Sequence, residues 1–159
     1  GFGNGRLLPA GPLREPQDRL TRVDAVVVNG GHRAGAHSMQ VRAERVLSLR
    51  DLAHARPLSA FAGQRVHAVA GIGNPRRFFD LLRSHGLVVE PHPYPDHHAF
   101  DGSELRFDDD LPVLITEKDA SKCAPHADGS IWVVPIDVDL PPEFGDLIHR
   151  RLHALKEST

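Results

Sequence analysis

Apolar positions in this chain come in short, β-branched runs, and each run stops at a turn signal. Val23-Asp24-Ala25-Val26-Val27-Val28 closes on Asn29-Gly30 and reads as a buried strand. Met39-Gln40-Val41-Arg42 alternates like a half-exposed strand. Arg45-Val46-Leu47-Ser48-Leu49 reads either as its partner in a two-stranded ribbon or as the opening of a short helix. Pro57 breaks any long helix between Asp51 and Phe61. Residues 65–70, RVHAVA, run as a strand into Gly71-Ile72-Gly73. Asn74 then suits an N-cap and Pro75 the first helical position, with Phe78, Phe79, Leu81 and Leu82 at helical spacing and a stop at Gly86. Residues 87–90 and 112–116 are the next strands, and residues 131–136 the last. Thr116 followed by Asp119 resembles a capping box for a short turn over residues 118–123. Phe144, Leu147, Ile148, Leu152 and Leu155 form the apolar face of a closing amphipathic helix.

Strands alternating with helices, the strands almost continuously apolar, predict an α/β fold. The expected architecture is a mostly parallel sheet flanked by helices in a Rossmann-like three-layer arrangement, with a small β-ribbon or hinge region. Three sections follow from the pattern: a glycine-rich loop over residues 1–21, a strand with the ribbon or hinge over 22–64, and an α/β domain over 65–159. Ligands on such sheets bind at the carboxyl ends of the strands. Residues 71–74, 96–98 and 116–119, and Asp137, each follow a predicted strand, so they are expected along one edge.

Composition narrows the classes. A chain of 159 residues suits one domain. A formal net charge of -2 gives no electrostatic case for nucleic acid. The single cysteine, Cys123, excludes an internal disulfide framework and a cysteine-rich zinc site. The only methionine is Met39, and residues 1–16 are dense in glycine and proline from the start, so the chain is expected to be a piece of a longer protein.

The candidate chemistry centres on Pro93-Tyr94-Pro95-Asp96-His97-His98-Ala99-Phe100. Two prolines forbid an ordinary helix there, so a stiff turn holds a carboxylate beside two imidazoles. Histidine is the side chain most easily tuned to exchange a proton near neutral pH. His92, Asp96, His97 and His98 can also be read as metal ligands, as in DHH phosphoesterases. That chemistry needs further acidic motifs, and Asp137-Val138-Asp139 is the only Asp-x-Asp. His67 and His85 read as structural histidines. Gly71-Ile72-Gly73-Asn74-Pro75-Arg76 starts like a dinucleotide fingerprint but carries Arg76 in place of the third glycine. Its helix start at Asn74 still offers backbone N–H groups to a phosphate. In Thr116-Glu117-Lys118-Asp119, Lys118 could meet a phosphate as a point charge, or the charges could be a solvated turn. A non-catalytic nucleotide or sugar-phosphate binding module also remains open on these residues.

Taken in order, GNGRLLPAGPLREP, AGIGNPRRFF, PYPDHHAF and LPVLITEKDASKC resemble the tetraacyldisaccharide 4′-kinase family of the lipid A pathway in Gram-negative bacteria, from Gly3 to about Leu155. The resemblance implies ATP-dependent phosphorylation of the 4′-hydroxyl of an acylated glucosamine disaccharide lipid, at the cytoplasmic face of the inner membrane. It also implies two α/β domains with the active site between them. The sequence departs from the family by lacking a G-x-x-x-x-G-K-[ST] loop, the paired aspartates and the membrane-proximal N-terminal helix. The resemblance therefore places ATP and Mg²⁺ mainly on an N-terminal domain, with no metal site in this chain, and contact with the membrane surface through that same region. Residues 1–21 would be an active-site loop of that domain, and residues 39–49 the hinge. His97 matches the family histidine that works with an N-terminal aspartate on the acceptor hydroxyl, and Asp96 would orient it. Glu15, Arg14, Asn4 and Arg6 match a loop on the nucleotide–metal side, and Lys118 and Asp119 match the family's Thr-Glu-Lys-Asp block. These 159 residues alone are expected to be inactive as a kinase.

Overall fold

The computed structural model describes residues 2–157. In chain order the strands and helices are β1 (Val27–Asn29), β2 (His37–Arg42), β3 (Arg45–Ser48), β4 (Ala55–Pro57), β5 (Arg65–Ala70), α1 (Pro75–Ser84), β6 (Val88–Pro93), β7 (Val113–Thr116), α2 (Glu117–Cys123), β8 (Ile131–Val134), β9 (Asp137–Asp139) and α3 (Pro142–Glu157). Contacts divide the described residues into two units, residues 42–137 and the two flanking stretches together.

The central unit is built on a six-stranded sheet of order β4-β3-β8-β7-β5-β6. β5, β6, β7 and β8 are mutually parallel along this order, while β3 runs antiparallel to both β8 and β4. Side chains of successive strand residues point to opposite faces, and that alternation makes two cores. Val66, Ala68, Ala70, Leu114, Trp132 and Val134 face one side and pack with Phe78, Phe79 and Leu82 of α1. Val69, Val113, Ile115, Ile131 and Val133 face the other and pack with Cys123, Phe100 and Leu105. Helix, sheet and second cover form the expected three layers. Leu82 and Ile115 are wholly buried, and side chains of that kind contribute roughly 1.5–3 kcal/mol each.

Local chemistry explains the elements. Pro75 occupies the first position of α1, although Asn74 before it makes no side-chain capping bond. Gly86 stops the helix with a φ of 83°, a conformation that glycine adopts without a Cβ clash. The prolines of β6, Pro91 and Pro93, are tolerated because β6 is an edge strand. The side-chain oxygen of Thr116 caps α2 by accepting the Asp119 N–H at 3.2 Å.

Three expectations change. Residues 39–42 and 45–49 do not form a ribbon with each other: β2 joins β1 and β9 in a three-stranded sheet, whereas β3 joins the large sheet. Pairing partners are chosen by non-local burial, and Val46 of β3 is fully buried in the large core. Residues 23–28 do not make a buried strand; β1 covers only Val27–Asn29, with Val23 at 41% and Val27 at 37% exposure. Its small sheet has too few strands to bury both faces. Residues 131–136 are not the last strand, because β9 follows and Asp137 opens it.

In the flanking unit, β1 and β2 are parallel. The Phe144 ring of α3 meets His37 edge-on at 5.2 Å, and Arg151 pairs with Asp24 at 2.9 Å. Ile148, Leu152 and Leu155, expected on a buried face, are exposed at 44%, 53% and 68%. Among the described residues, no helix is long and apolar enough to cross a membrane.

Candidate active site

In the central unit β5 and β7 are neighbours, and the chain goes from β5 to β6 on one side and from β7 to β8 on the other. Such a switch point opens a crevice at the carboxyl ends of the strands. Residues 71–74 follow β5, residues 94–98 follow β6 and residues 116–119 pass from β7 into α2. Parallel registers put these three turns at the same edge.

Asp96 is the hub of this edge. Its Oδ1 accepts from Lys118 Nζ at 2.8 Å and from the His97 N–H at 3.1 Å. The Lys118 hydrogen bond is the main reason that the Asp96 carboxyl lies below its ordinary range, with the charge on His97 adding to it. A Cβ placed on Gly73 would sit 3.6 Å from Asp96 Oδ2, so the β5 turn passes close to this carboxylate.

His97 stands out. Its φ is 63°, the only positive φ at a non-glycine position among the described residues. Such residues are uncommon and collect at functional turns, although histidine tolerates the conformation better than most. The turn is closed by the His98 N–H donating to the Pro95 carbonyl at 3.1 Å. The His97 ring is 78% exposed, and its Nε2 lies 3.7 Å from Asp96 Oδ2, beyond hydrogen-bond distance. An imidazole so displayed is available to a ligand, beside a carboxylate that is itself tied to a lysine.

Asp119 lies at the same edge but is wholly buried. Its Oδ2 accepts from the Gly71 N–H at 2.9 Å and from the Thr116 hydroxyl at 2.7 Å, and its Oδ1 accepts from Lys122 at 2.8 Å. Burial works upward on its pKa, and these hydrogen bonds outweigh it, so the group stays below the ordinary carboxylate range. Asp119 clamps the β5 turn to the start of α2. Asn74, at the N-cap position, is exposed.

The four residues read as metal ligands separate. His92 points to His67, at 3.0 Å; Asp96 pairs with Lys118, with the His97 ring 3.7 Å away; His98 pairs with Glu104 at 2.7 Å. Among the described residues no group of three or more His, Cys, Asp or Glu side chains comes together to hold a metal ion. His67, expected to be structural, is buried at 4% exposure. The Glu104 partner of His98 was not singled out from the sequence, which offers only a carboxylate six residues downstream.

The remaining candidates belong to the flanking unit. The Asn4 side chain donates to the Ala10 carbonyl at 2.9 Å and accepts from the Arg6 N–H at 3.1 Å. A Cβ on Gly11 would run into the Arg6 carbonyl and the Asn4 amide, so only glycine fits there. Glu15 pairs with Arg19 at 3.0 Å, both side chains being more than half exposed. Arg6 and Arg14 are exposed. An open hollow bordered by His32, His37, Ser38 and Asp139 lies in the same unit and includes none of the candidates.

The fold and this edge define an α/β protein with its polar side chains gathered at a topological switch point, where ligands are handled. A family model of "Tetraacyldisaccharide-1-P 4'-kinase" matches residues 1–153, and the chain belongs to that family. It is 49% identical over 144 residues to the tetraacyldisaccharide 4'-kinase of Nitrosococcus oceani, covering 91% of this chain and 42% of the relative. It is 50% identical over 157 residues to that of Methylobacillus flagellatus, covering 98% and 47%. With that of Alcanivorax borkumensis it shares 53% over 142 residues, covering 89% and 43%. The chain thus spans about half the length of the curated relatives it matches. The crystal structure of the "apo" form of LpxK from Aquifex aeolicus in complex with ATP matches with a TM-score of 0.63 and 26% identity, over 92% of this chain and 48% of that one.

Proposed function

We propose that these residues form part of an ATP-dependent kinase that phosphorylates the 4′-hydroxyl of a tetraacyldisaccharide 1-phosphate in lipid A biosynthesis. The observation that carries this reading is family membership over residues 1–153, together with His97 displayed at the switch-point edge. Phosphoryl transfer is mainly positioning and electrostatic stabilisation, with one group needed to orient or deprotonate the acceptor hydroxyl. His97 is that group, and Asp96, anchored by Lys118, supports its turn.

The residues present here do not fit a nucleotide–Mg²⁺ centre. No three ligating side chains converge among the described residues, and the 159 residues contain no G-x-x-x-x-G-K-[ST] loop. ATP and Mg²⁺ are assigned mainly to other residues of the whole protein, with Glu15, Arg14, Asn4 and Arg6 contributing from the opening loop. Asn74 and Lys118 are the remaining anion contacts at the edge. Asp119 acts behind them as the clamp, since its oxygens already have partners. The acylated substrate places the work at the cytoplasmic face of the inner membrane, with surface contact made by residues outside this chain.

In the whole kinase, His97→Ala is expected to lower kcat by about 10²–10⁴-fold, the usual worth of an acid–base group. A loss below about tenfold removes His97 from that role. ATP-dependent 4′-phosphorylation by the isolated 159 residues would show that the nucleotide is held here after all.

A further inference from the structure

The turn that carries His97 is also tied down by the next residue in the chain. His98 Nε2 donates to Glu104 Oε1 at 2.7 Å. The other oxygen of Glu104 accepts from the Asp101 and Gly102 N–H groups at 3.1 and 3.2 Å. Both carboxylate oxygens are thereby committed, and the loop from His98 to Glu104 is closed at its base. The His98 ring also stacks on Tyr94 at 4.7 Å and meets Phe100 edge-on at 4.8 Å. Phe100 and Leu105 are buried in the second core. Gly102 comes so close to His126 that a Cβ would sit 2.6 Å from its Nδ1, which leaves the loop little room to shift.

A positive φ at a bulky residue persists only where the surroundings over-determine it. Asp96 and Lys118 hold the front of the turn, but they are exposed and water competes for both. The side chain that follows His97 is held by a charge-assisted hydrogen bond and two ring contacts, and charge-assisted bonds are the stronger kind. We propose that His98 and Glu104 are positioning residues for His97, locking its backbone in the left-handed conformation that presents the imidazole to the acceptor hydroxyl. This rests on the kinase reading above.

The test separates the hydrogen bond from the ring and positioning from mere stability. His98→Phe keeps an aromatic ring against Tyr94 and Phe100 but removes the donor, whereas His98→Gln keeps an N–H donor for Glu104 and removes the ring. In the whole kinase, H98F is expected to lower kcat about 10–100-fold with both KM values within about twofold, the scale expected of a misplaced catalytic group. H98Q is expected to recover kcat to within about threefold of the parent on the same logic. A kcat for H98F within about twofold of the parent overturns the proposal, as does failure of H98Q to restore what H98F loses. Losses in both variants that follow only the folded fraction, read from thermal melts, overturn it too. A second readout is independent of activity: in the 159-residue chain, the NMR amide and imidazole signals of His97 should move in H98F and return in H98Q. If the parent kinase does not phosphorylate the disaccharide, the kinase reading falls, and the His97 signals still decide the positioning claim, unmoved signals overturning it.

Discussion

Two histidine clusters sit on the central sheet, and they differ in almost every physical respect. His67, in the middle of β5, is 4% exposed, bonded through Nε2 to Asp109 at 3.0 Å and through Nδ1 to His92 at 3.0 Å. Its ring stacks on Phe107 with centroids 3.6 Å apart, and Glu90 lies 3.5 Å from Nδ1. Both ring nitrogens are spent. His97, beyond the end of β6, has its ring largely in solvent and an unusual backbone. A saturated imidazole holds structure together, whereas a displayed one on a constrained turn is free to act on something else.

The sharpest way to break this contrast is a pair of substitutions in the whole kinase. His97→Gly should abolish the acid–base contribution of about 10²–10⁴-fold, yet shift stability by no more than about 1 kcal/mol, because glycine suits the positive φ. His67→Ala should do the reverse, costing about 2–4 kcal/mol in denaturant unfolding while the folded enzyme keeps its kcat, since a buried ring and two hydrogen bonds are lost. A large loss of kcat in His67→Ala, without unfolding, would erase the distinction.

Asp119→Ala lies between the two. It strips the Gly71 N–H, the Thr116 hydroxyl and Lys122 of their shared acceptor, and breaking a buried charged pair of this kind costs about 3–5 kcal/mol. Chemical denaturation measures it, and a cost under about 1 kcal/mol would reduce Asp119 to a surface-type pair.

Acid should distinguish the clusters next. Burial, followed by the neighbouring charge of His67, lowers the pKa of His92. The unfolded chain therefore binds the proton more readily, and stability is full above the ordinary histidine pKa of about 6.5 and declines as pH falls from there. Glu104, lowered chiefly by its hydrogen bond from His98, contributes in the same direction at lower pH, below the ordinary carboxylate range. The melting temperature should thus fall from pH 7.5 to 5.5, and His92→Asn should flatten that part of the curve. An unchanged slope in the variant would sink the assignment. The smallest effect belongs to Cys123, wholly buried with its thiol pushed up to about 12 by burial and by Asp119. A thiol reagent at pH 8 should leave it unmodified until the protein is denatured.

Where the apolar signal was local, it was legible. β7 and β8 are almost continuously apolar runs, β5 is rich in valine and alanine, and α1 is bracketed by Pro75 and Gly86. The edge was legible through the rule for parallel strands, which brings residues 71–74, 96–98 and 116–119 together, but Asp137, expected with them, instead opens β9 in the three-stranded sheet. The three-stranded sheet was not, because β2 pairs with β9 across most of the chain and no short window contains that choice. β9 is only three residues long, all of them exposed, and offers no hydrophobic pattern to read. Glu104 was missed for a related reason: its partner is chosen by a loop closure, and a lone carboxylate among Asp101, Asp108, Asp109 and Asp110 looks like solvated charge. Family resemblance suggested the role proposed for His97, while its positive φ and the His98–Glu104 hydrogen bond are visible only in the structure.

The hydrogen bond from Gly71 to Asp119 spans 48 positions of the chain. During synthesis at about 5–20 residues per second, the turn after β5 must wait roughly 2–10 s for its acceptor to be made. β5 and α1 can pack before then, but the candidate edge cannot close until β7 and the start of α2 have been added. A nascent chain stopped before residue 119 would lack both this acceptor and β8, the strand that joins β3 to β7, so the candidate edge and the sheet beneath it are completed together.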